Sequence, residues 1–220
     1  MGQKIHPKGF RLGTVFTWTS RWFSRPKQYK TLLFEDVTLR QALTKKLKSA
    51  GLTEVEIERS INKIKIILHV SKPGIVIGRG GSGLEELKKY IEQYLSSLYK
   101  NTNKRPDAKQ KLEVIVEPVK EPNLNAHLVA TTIADQLVKR LPHKRIANQA
   151  VDRVMSSGAK GVRVAYSGRI AGAEIARREK YQSGTVPLST IREDVDFAAV
   201  PALTKSGYVG VKVWICRKSI

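Results

Sequence analysis

Six residues, Gly78-Arg79-Gly80-Gly81-Ser82-Gly83, constrain this chain more than any other stretch. Four glycines in six positions make a backbone that turns sharply and stays bare, as a segment must to approach a ligand closely. The stretch spells two motifs at once. Gly78, Gly80 and Gly83 read as G-x-G-x-x-G, the dinucleotide fingerprint, which needs a strand running straight into the loop and an acid about 20 positions on for the ribose. Here Ser71-Lys72-Pro73-Gly74 interrupts between strand and loop, residues 93–106 hold no acid, and Glu92 falls inside a helical stretch. A G-x-x-x-x-G-K-[ST] phosphate loop does not occur. The second parse takes Gly78 and Gly81 as the ends of a GxxG loop between a short helix and a long one. Its bare backbone approaches a sugar-phosphate chain, the next helix offers free N–H groups and a positive dipole end, and Lys72 and Arg79 add charge.

The flanking pattern supplies the context. Val37, Leu39, Ala42, Leu43 and Leu47 predict a helix from Asp36 to Gly51, with Glu35 and Asp36 at its start and Lys45, Lys46 and Lys48 near its end, an order that suits the helix dipole. Val55 and Ile57, then Ile64, Ile66 and Leu68, alternate with charged residues and predict two strands joined near residues 60–62. Leu84, Leu87, Tyr90, Ile91, Tyr94 and Leu95 mark an amphipathic helix after the loop, and the run at 112–116 is a further strand. Beyond Glu121-Pro122-Asn123, read as a hinge, two helices at about 123–141 and 144–157 precede strands around 161–168, 173–182, 193–203 and 208–217.

Charge indicates the kind of partner. Forty Lys and Arg against nineteen Asp and Glu leave a formal charge of +21 and a pI near 10.2. A field of one sign repels itself in a compact chain and points to a polyanion, nucleic acid before an anionic membrane surface. The first fifty residues hold eleven basic and two acidic side chains, and the last twenty hold four and none. Residues 1–13 read as an extended arm whose Lys4, Lys8 and Arg11 follow a phosphate backbone, with the aromatics Phe16, Trp18, Trp22 and Phe23 anchoring it. No run approaches the roughly 20 apolar residues of a membrane span, and the start lacks a signal-peptide apolar region, so a cytosolic or organellar protein is expected. Cys216 is the only cysteine, which excludes an internal disulfide and a cysteine-based zinc site; its alternating surroundings read as a packed strand. The four histidines are too scattered for a metal site, no Ser-His-Asp set is present, and neither a cofactor nor catalysis is expected.

The order strand, strand, short helix, GxxG, helix, strand resembles a type II KH domain, whose loop clamps about four nucleotides of single-stranded RNA. Three segments extend the likeness across nearly the whole chain: residues 1–13, the Pro73–Gly78 approach to the loop, and Ser167-Gly168-Arg169-Ile170-Ala171-Gly172-Ala173-Glu174-Ile175-Ala176-Arg177 followed by residues 184–188 and 210–215. Together they resemble the bacterial-type small-subunit ribosomal protein three family. The resemblance implies an α+β chain with a basic arm at 1–15, a domain at 16–118 whose KH core spans about 38–118, and a C-terminal domain at 119–220 with two helices and a four-stranded mixed sheet. It also implies a structural place in the head of the small subunit, on ribosomal RNA at the mRNA entrance side, beside head proteins two, ten and fourteen, without a membrane.

The family's link to mRNA unwinding runs through basic residues on the second helix of the C-terminal domain. Lys144 and Arg145 match the first of those positions, and they read equally as a solvated helix start. Asn148 stands where the next cation of that helix is expected, and Gln149 follows it, which weakens the unwinding expectation. Arg169, Arg177, Arg178 and Lys180 cluster near Gly168 and Gly172 and are expected to contact ribosomal RNA phosphates. Two other classes fit parts of the sequence. A free-standing KH protein would share the loop without needing the arm or the acid-free C-terminus, and an oxidoreductase would bind a dinucleotide at the glycines.

Overall fold

The computed structural model describes residues 4–60, 62–102 and 111–218. In chain order its elements are α1 (Pro7–Phe10), β1 (Ser20–Arg21), α2 (Pro26–Lys46), β2 (Leu52–Arg59), β3 (Lys63–Val70), α3 (Pro73–Ile77), α4 (Ser82–Thr102), β4 (Lys111–Pro118), α5 (Ala126–Val138), α6 (His143–Ser156), β5 (Gly161–Gly168), β6 (Arg177–Gly184), β7 (Val195–Thr204) and β8 (Gly207–Cys216). They divide into two compact units: Trp18–Lys120, and a second that joins Met1–Thr17 to Glu121–Ile220.

In the first unit a mixed sheet runs β1-β2-β3-β4, with β2 antiparallel to β3 and the outer pairs parallel. Its apolar side chains alternate as the sequence pattern requires. Ile57, Ile64, Ile66 and Leu68 meet Leu39 and Leu43 of α2 and Leu87, Ile91 and Leu95 of α4 in one core. Each such side chain contributes about 1.5–3 kcal/mol when fully buried. Charged side chains pair across the strands, with Lys65 Nζ 3.4 Å from Glu58 and His69 Nε2 3.3 Å from Glu56.

Helix α2 starts ten residues before the expected Asp36, at Pro26, whose fixed φ and missing N–H suit a first helical position. Its opening turns leave Tyr29, Leu33 and Phe34 exposed, so no buried stripe announced them. Glu35 and Asp36 are therefore not an N-terminal charge pair. They lie inside the helix, 3% and 1% exposed, and Arg59 bridges both at 2.9 and 2.6 Å. Trp22 Nε1 and Ser20 Oγ donate to the remaining Asp36 oxygen at 2.8 and 2.9 Å.

In the second unit α5 and α6 pack on one face of a sheet ordered β6-β5-β8-β7. Val129, Ile133, Ile146 and Val154 meet Val162, Val164, Val213 and Ile215 there. This sheet was expected to be mixed, but every pair in it is antiparallel. The reason is connectivity. Both helices precede the sheet, so no strand-to-strand link contains the crossover that a parallel neighbour requires.

The arm departs from its expected extended form. Pro7 at the first helical position, with His6 Nδ1 accepting from Gly9 N at 3.4 Å, starts the single turn α1. The arm packs within the second unit, where His6 meets Phe197 edge-on at 5.0 Å. Beneath lies a second apolar cluster of Val195, Trp214 and Cys216 on the sheet face away from the helices. Cys216 is wholly buried there, and burial pushes its thiol up to about 11, so it packs as a hydrophobe.

Candidate nucleic-acid interface

The glycine loop joins α3 to α4 within the first unit. Gly78 closes α3 with φ 70°, its N–H donating to Gly74 O at 3.0 Å. A Cβ at Gly78 would stand 2.9 Å from Gly83 N, and one at Gly83 would stand 2.7 Å from Val76 O. These two glycines thus let the helix ends touch. Gly80 (φ 61°) and Gly81 (φ 84°) face open space instead, so the left-handed turn they make leaves bare backbone outward. Ser82 Oγ donates to Arg79 O at 3.0 Å and ties the loop to the first turn of α4. Lys72 and Arg79 are exposed on either side, and Ile75 and Ile77 expose apolar surface beside them. The arrangement offers backbone N–H groups and two cations to a phosphate chain and apolar surface to bases. Glu85, in the first turn of α4, sets a limit on the net positive potential.

In the second unit the cations divide between two surfaces. Lys144 and Arg145 are exposed in the first turn of α6, whose N-terminus carries no side-chain cap and no acid. The nearby Glu179 accepts from Tyr181 at 2.7 Å and lies 3.1 Å from His143 Nε2. The Tyr181 hydrogen bond first, then His143, holds its carboxyl below the ordinary range. Lys144 acts on the same carboxylate through its charge without forming a direct ion pair among the described residues.

Arg169 and Arg177 flank the turn between β5 and β6, where Arg177 pairs in register with Gly168. Alternation sends Arg178 and Lys180 to the face away from the helices. Lys180 lies opposite Ala165, and Ala165 opposite Lys212, which places two lysines in one row across three strands. Arg163 follows two residues along β5 on that face, its guanidinium 5.3 Å from the Trp214 ring. Arg163 and Lys212 were not singled out from sequence. The alternation of β5 and β8 carried the signal, but only the register aligns them with Lys180.

Two expected phosphate ligands are placed otherwise. Arg11 is 0% exposed, and its guanidinium donates to the carbonyls of Pro7, Pro187, Leu188, Thr190 and Glu193 at 2.8–3.2 Å. It is a structural pin, because a planar five-donor fork suits a ring of carbonyls that no lysine could satisfy. Lys8 is half-buried and pairs with Asp196 at 3.0 Å. Lys4 remains exposed. Of the aromatics expected to anchor the arm, Trp22 is fixed on Asp36, whereas Trp18 is 69% and Phe23 97% exposed.

Both units are similar to known protein families. Residues 38–124 match the KH domain family, and residues 133–215 match the family described as ribosomal protein S3, C-terminal domain. Curated relatives named small ribosomal subunit protein uS3 align over the whole chain. Those of Caldicellulosiruptor saccharolyticus and Desulforamulus reducens are 43% and 46% identical, with 94% of each relative covered. That of Clostridioides difficile is 45% identical, with 77% covered.

Proposed function

The chain belongs to the uS3 family of small ribosomal subunit proteins, and from that premise we propose that it binds ribosomal RNA in the head of the small subunit and borders the mRNA path at its entrance. Its role is structural and RNA-binding rather than enzymatic. The observation that carries the finer reading is the start of α6: Lys144 and Arg145 are exposed, unpaired among the described residues, and set on an uncapped helix N-terminus that attracts phosphate. Asn148 and Gln149, one turn on and also exposed, leave that stripe two charges short, so its contribution to unwinding structured mRNA is small.

Ribosomal RNA contacts are assigned to Lys4, to Lys72 with the Gly78–Gly81 loop, and to Arg169, Arg177, Arg178 and Lys180. Head proteins two, ten and fourteen are the proposed neighbours, and the exposed Leu33, Phe34 and Val37 on α2 supply apolar surface of the kind such contacts use. The setting is a cytoplasmic ribosome.

Crosslinking in intact ribosomes tests the reading. Photoreactive residues at 144 and 145 should link to mRNA, and those at 79 and 178 to ribosomal RNA. Links from 144 and 145 to ribosomal RNA alone would remove the entrance assignment. In the isolated chain, Gly80→Asp with Gly81→Asp should weaken single-stranded RNA binding; an unchanged affinity in a folded double variant would remove the loop from the interface.

A further inference from the structure

A cavity of about 360 Å³ opens in the second unit where the α5–α6 turn, the 169–172 loop and the β7–β8 hairpin meet. Leu141, Ile170 and Val209 give it apolar walls, and Arg140, Arg169 and Lys205 form a cationic rim. No acid lines it. None of the three cations has an ion pair among the described residues, and Arg169 uses only Nε internally, donating to Ala173 O at 2.7 Å.

Three further observations mark the cavity as a place built for a ligand. Helix α6 begins at its edge with Pro142 and His143, uncapped and without an acid in its first turn. Tyr166 lines the cavity at 1% exposure, and its hydroxyl has no hydrogen-bond partner among the described residues. A buried hydroxyl left so is unfavourable until a partner reaches it. Finally, the non-glycine residues with positive φ among the described residues are Arg140 (60°) and Ala171 (56°), and both line this cavity. Strained backbone of that kind concentrates at ligand sites.

An inorganic anion would answer the rim and leave the apolar walls empty. An acidic side chain would do the same. A planar heterocycle carrying a phosphate meets both, and the volume lies in the range of small-ligand pockets, roughly 300–1,000 Å³. We propose that this cavity holds one nucleotide: its base between the apolar walls with an acceptor toward the Tyr166 hydroxyl, and its phosphate on Arg140, Arg169, Lys205 and the start of α6. The proposal rests on the reading of the chain as an RNA binder but concerns a different unit from the glycine loop. The nucleotide is either one unpaired residue of an RNA strand or a free nucleotide, and the two share this chemistry.

The test uses the full chain, isotopically labelled, titrated with each nucleoside 5′-monophosphate, with the nucleosides and with inorganic phosphate. Amide shifts should fall at residues 137–143, 169–172 and 204–209, and a monophosphate should bind at least about tenfold tighter than phosphate or nucleoside alone. Arg140→Gly combined with Lys205→Glu should weaken it by about tenfold or more, and Tyr166→Phe, which removes only the hydroxyl, by roughly threefold. Single-stranded RNA carrying 2-aminopurine separates the sources. A fluorescence change abolished by the Arg140→Gly, Lys205→Glu variant indicates a strand nucleotide, and monophosphate binding without such a change indicates a free one.

The proposal is overturned if phosphate binds as tightly as the nucleotides, if shifts fall only around residues 78–83, if an acidic peptide binds this cavity more tightly than every nucleotide, or if the folded variants bind like the parent. Gly80→Asp with Gly81→Asp keeps the two readings apart. It removes RNA affinity at the loop and leaves monophosphate binding at this cavity unchanged.

Discussion

Lys8 Nζ stands 3.0 Å from Asp196 Oδ1, and the other oxygen of that buried carboxylate accepts from Ala126 N at 2.8 Å and Arg217 at 3.2 Å. One side chain thus joins the arm, the start of α5 and the end of the last strand. Two arm cations that look destined for phosphate, Lys8 and Arg11, are instead part of how the second unit holds together.

Arg11→Ala should destabilise that unit by about 3 kcal/mol, because five carbonyls, one buried and four part-buried, lose a charged donor at once. Arg11→Lys should recover little, since an ammonium cannot reach all five. Urea unfolding followed by fluorescence in a Trp18→Phe, Trp22→Phe background, where Trp214 is the remaining tryptophan, measures both. A shift under about 0.5 kcal/mol for the alanine variant would contradict the role assigned to the guanidinium.

Arg59→Met should cost about 3–5 kcal/mol, since it strands Glu35 and Asp36 in the first unit without their cation. The triple variant that also carries Glu35→Gln and Asp36→Asn should recover much of the loss. Failure of the triple variant to recover would show that the cost comes from lost packing rather than from unpaired charge.

His127 supplies a pH dependence. Burial lowers its imidazole pKa from the ordinary 6.5, Lys8 adds to the fall and Asp196 opposes it. Its Nδ1 is buried without a hydrogen-bond partner among the described residues. The unfolded chain therefore takes up this proton at a higher pH than the folded one. The stabilisation is complete above pH 6.5 and is lost as pH falls through the folded value. Subtracting the His127→Gln unfolding curve from that of the parent should leave a difference that moves against the parent between pH 7.5 and 5. A difference independent of pH would disprove the assignment.

Asn148→Lys with Gln149→Arg should extend the stripe on α6, because both positions lie one turn beyond Lys144 and Arg145 on the same exposed surface. Stability should change by under about 0.5 kcal/mol. The plot of log K against log salt for single-stranded RNA should steepen by roughly 0.7 for each added phosphate contact. A slope unchanged from the parent would place this helix away from the strand.

Local signals made the first unit readable. The strands of the KH region announce themselves by alternation in β2 and the first half of β3 and by apolar runs at Ile66–Leu68 and Val114–Val116, and the glycine loop by steric demands that act within six residues. Val129 and Ile133 of α5, like Ile146 and Val154 of α6, repeat at helical spacing, so their packing on one sheet face was also legible. The sequence pattern shortens helix α2 because its first turns bury no apolar stripe, and periodicity is a signal only where burial selects it.

By itself, the order of residues determined the strongly positive charge, the GxxG turn with its left-handed glycines, and the alternation that makes each sheet two-sided. All of these depend on neighbours within a few positions. Tertiary structure alone decided which cations remain available to RNA. An arginine in the sequence is the same whether its fork meets phosphate or a ring of carbonyls from residues some 180 positions away, as Arg11 does. Register likewise decided that Lys180 and Lys212 share a row, and chain return decided that Arg140, Arg169 and Lys205 surround one cavity. Long-range contacts set burial, and burial sets whether a charge serves the fold or the ligand.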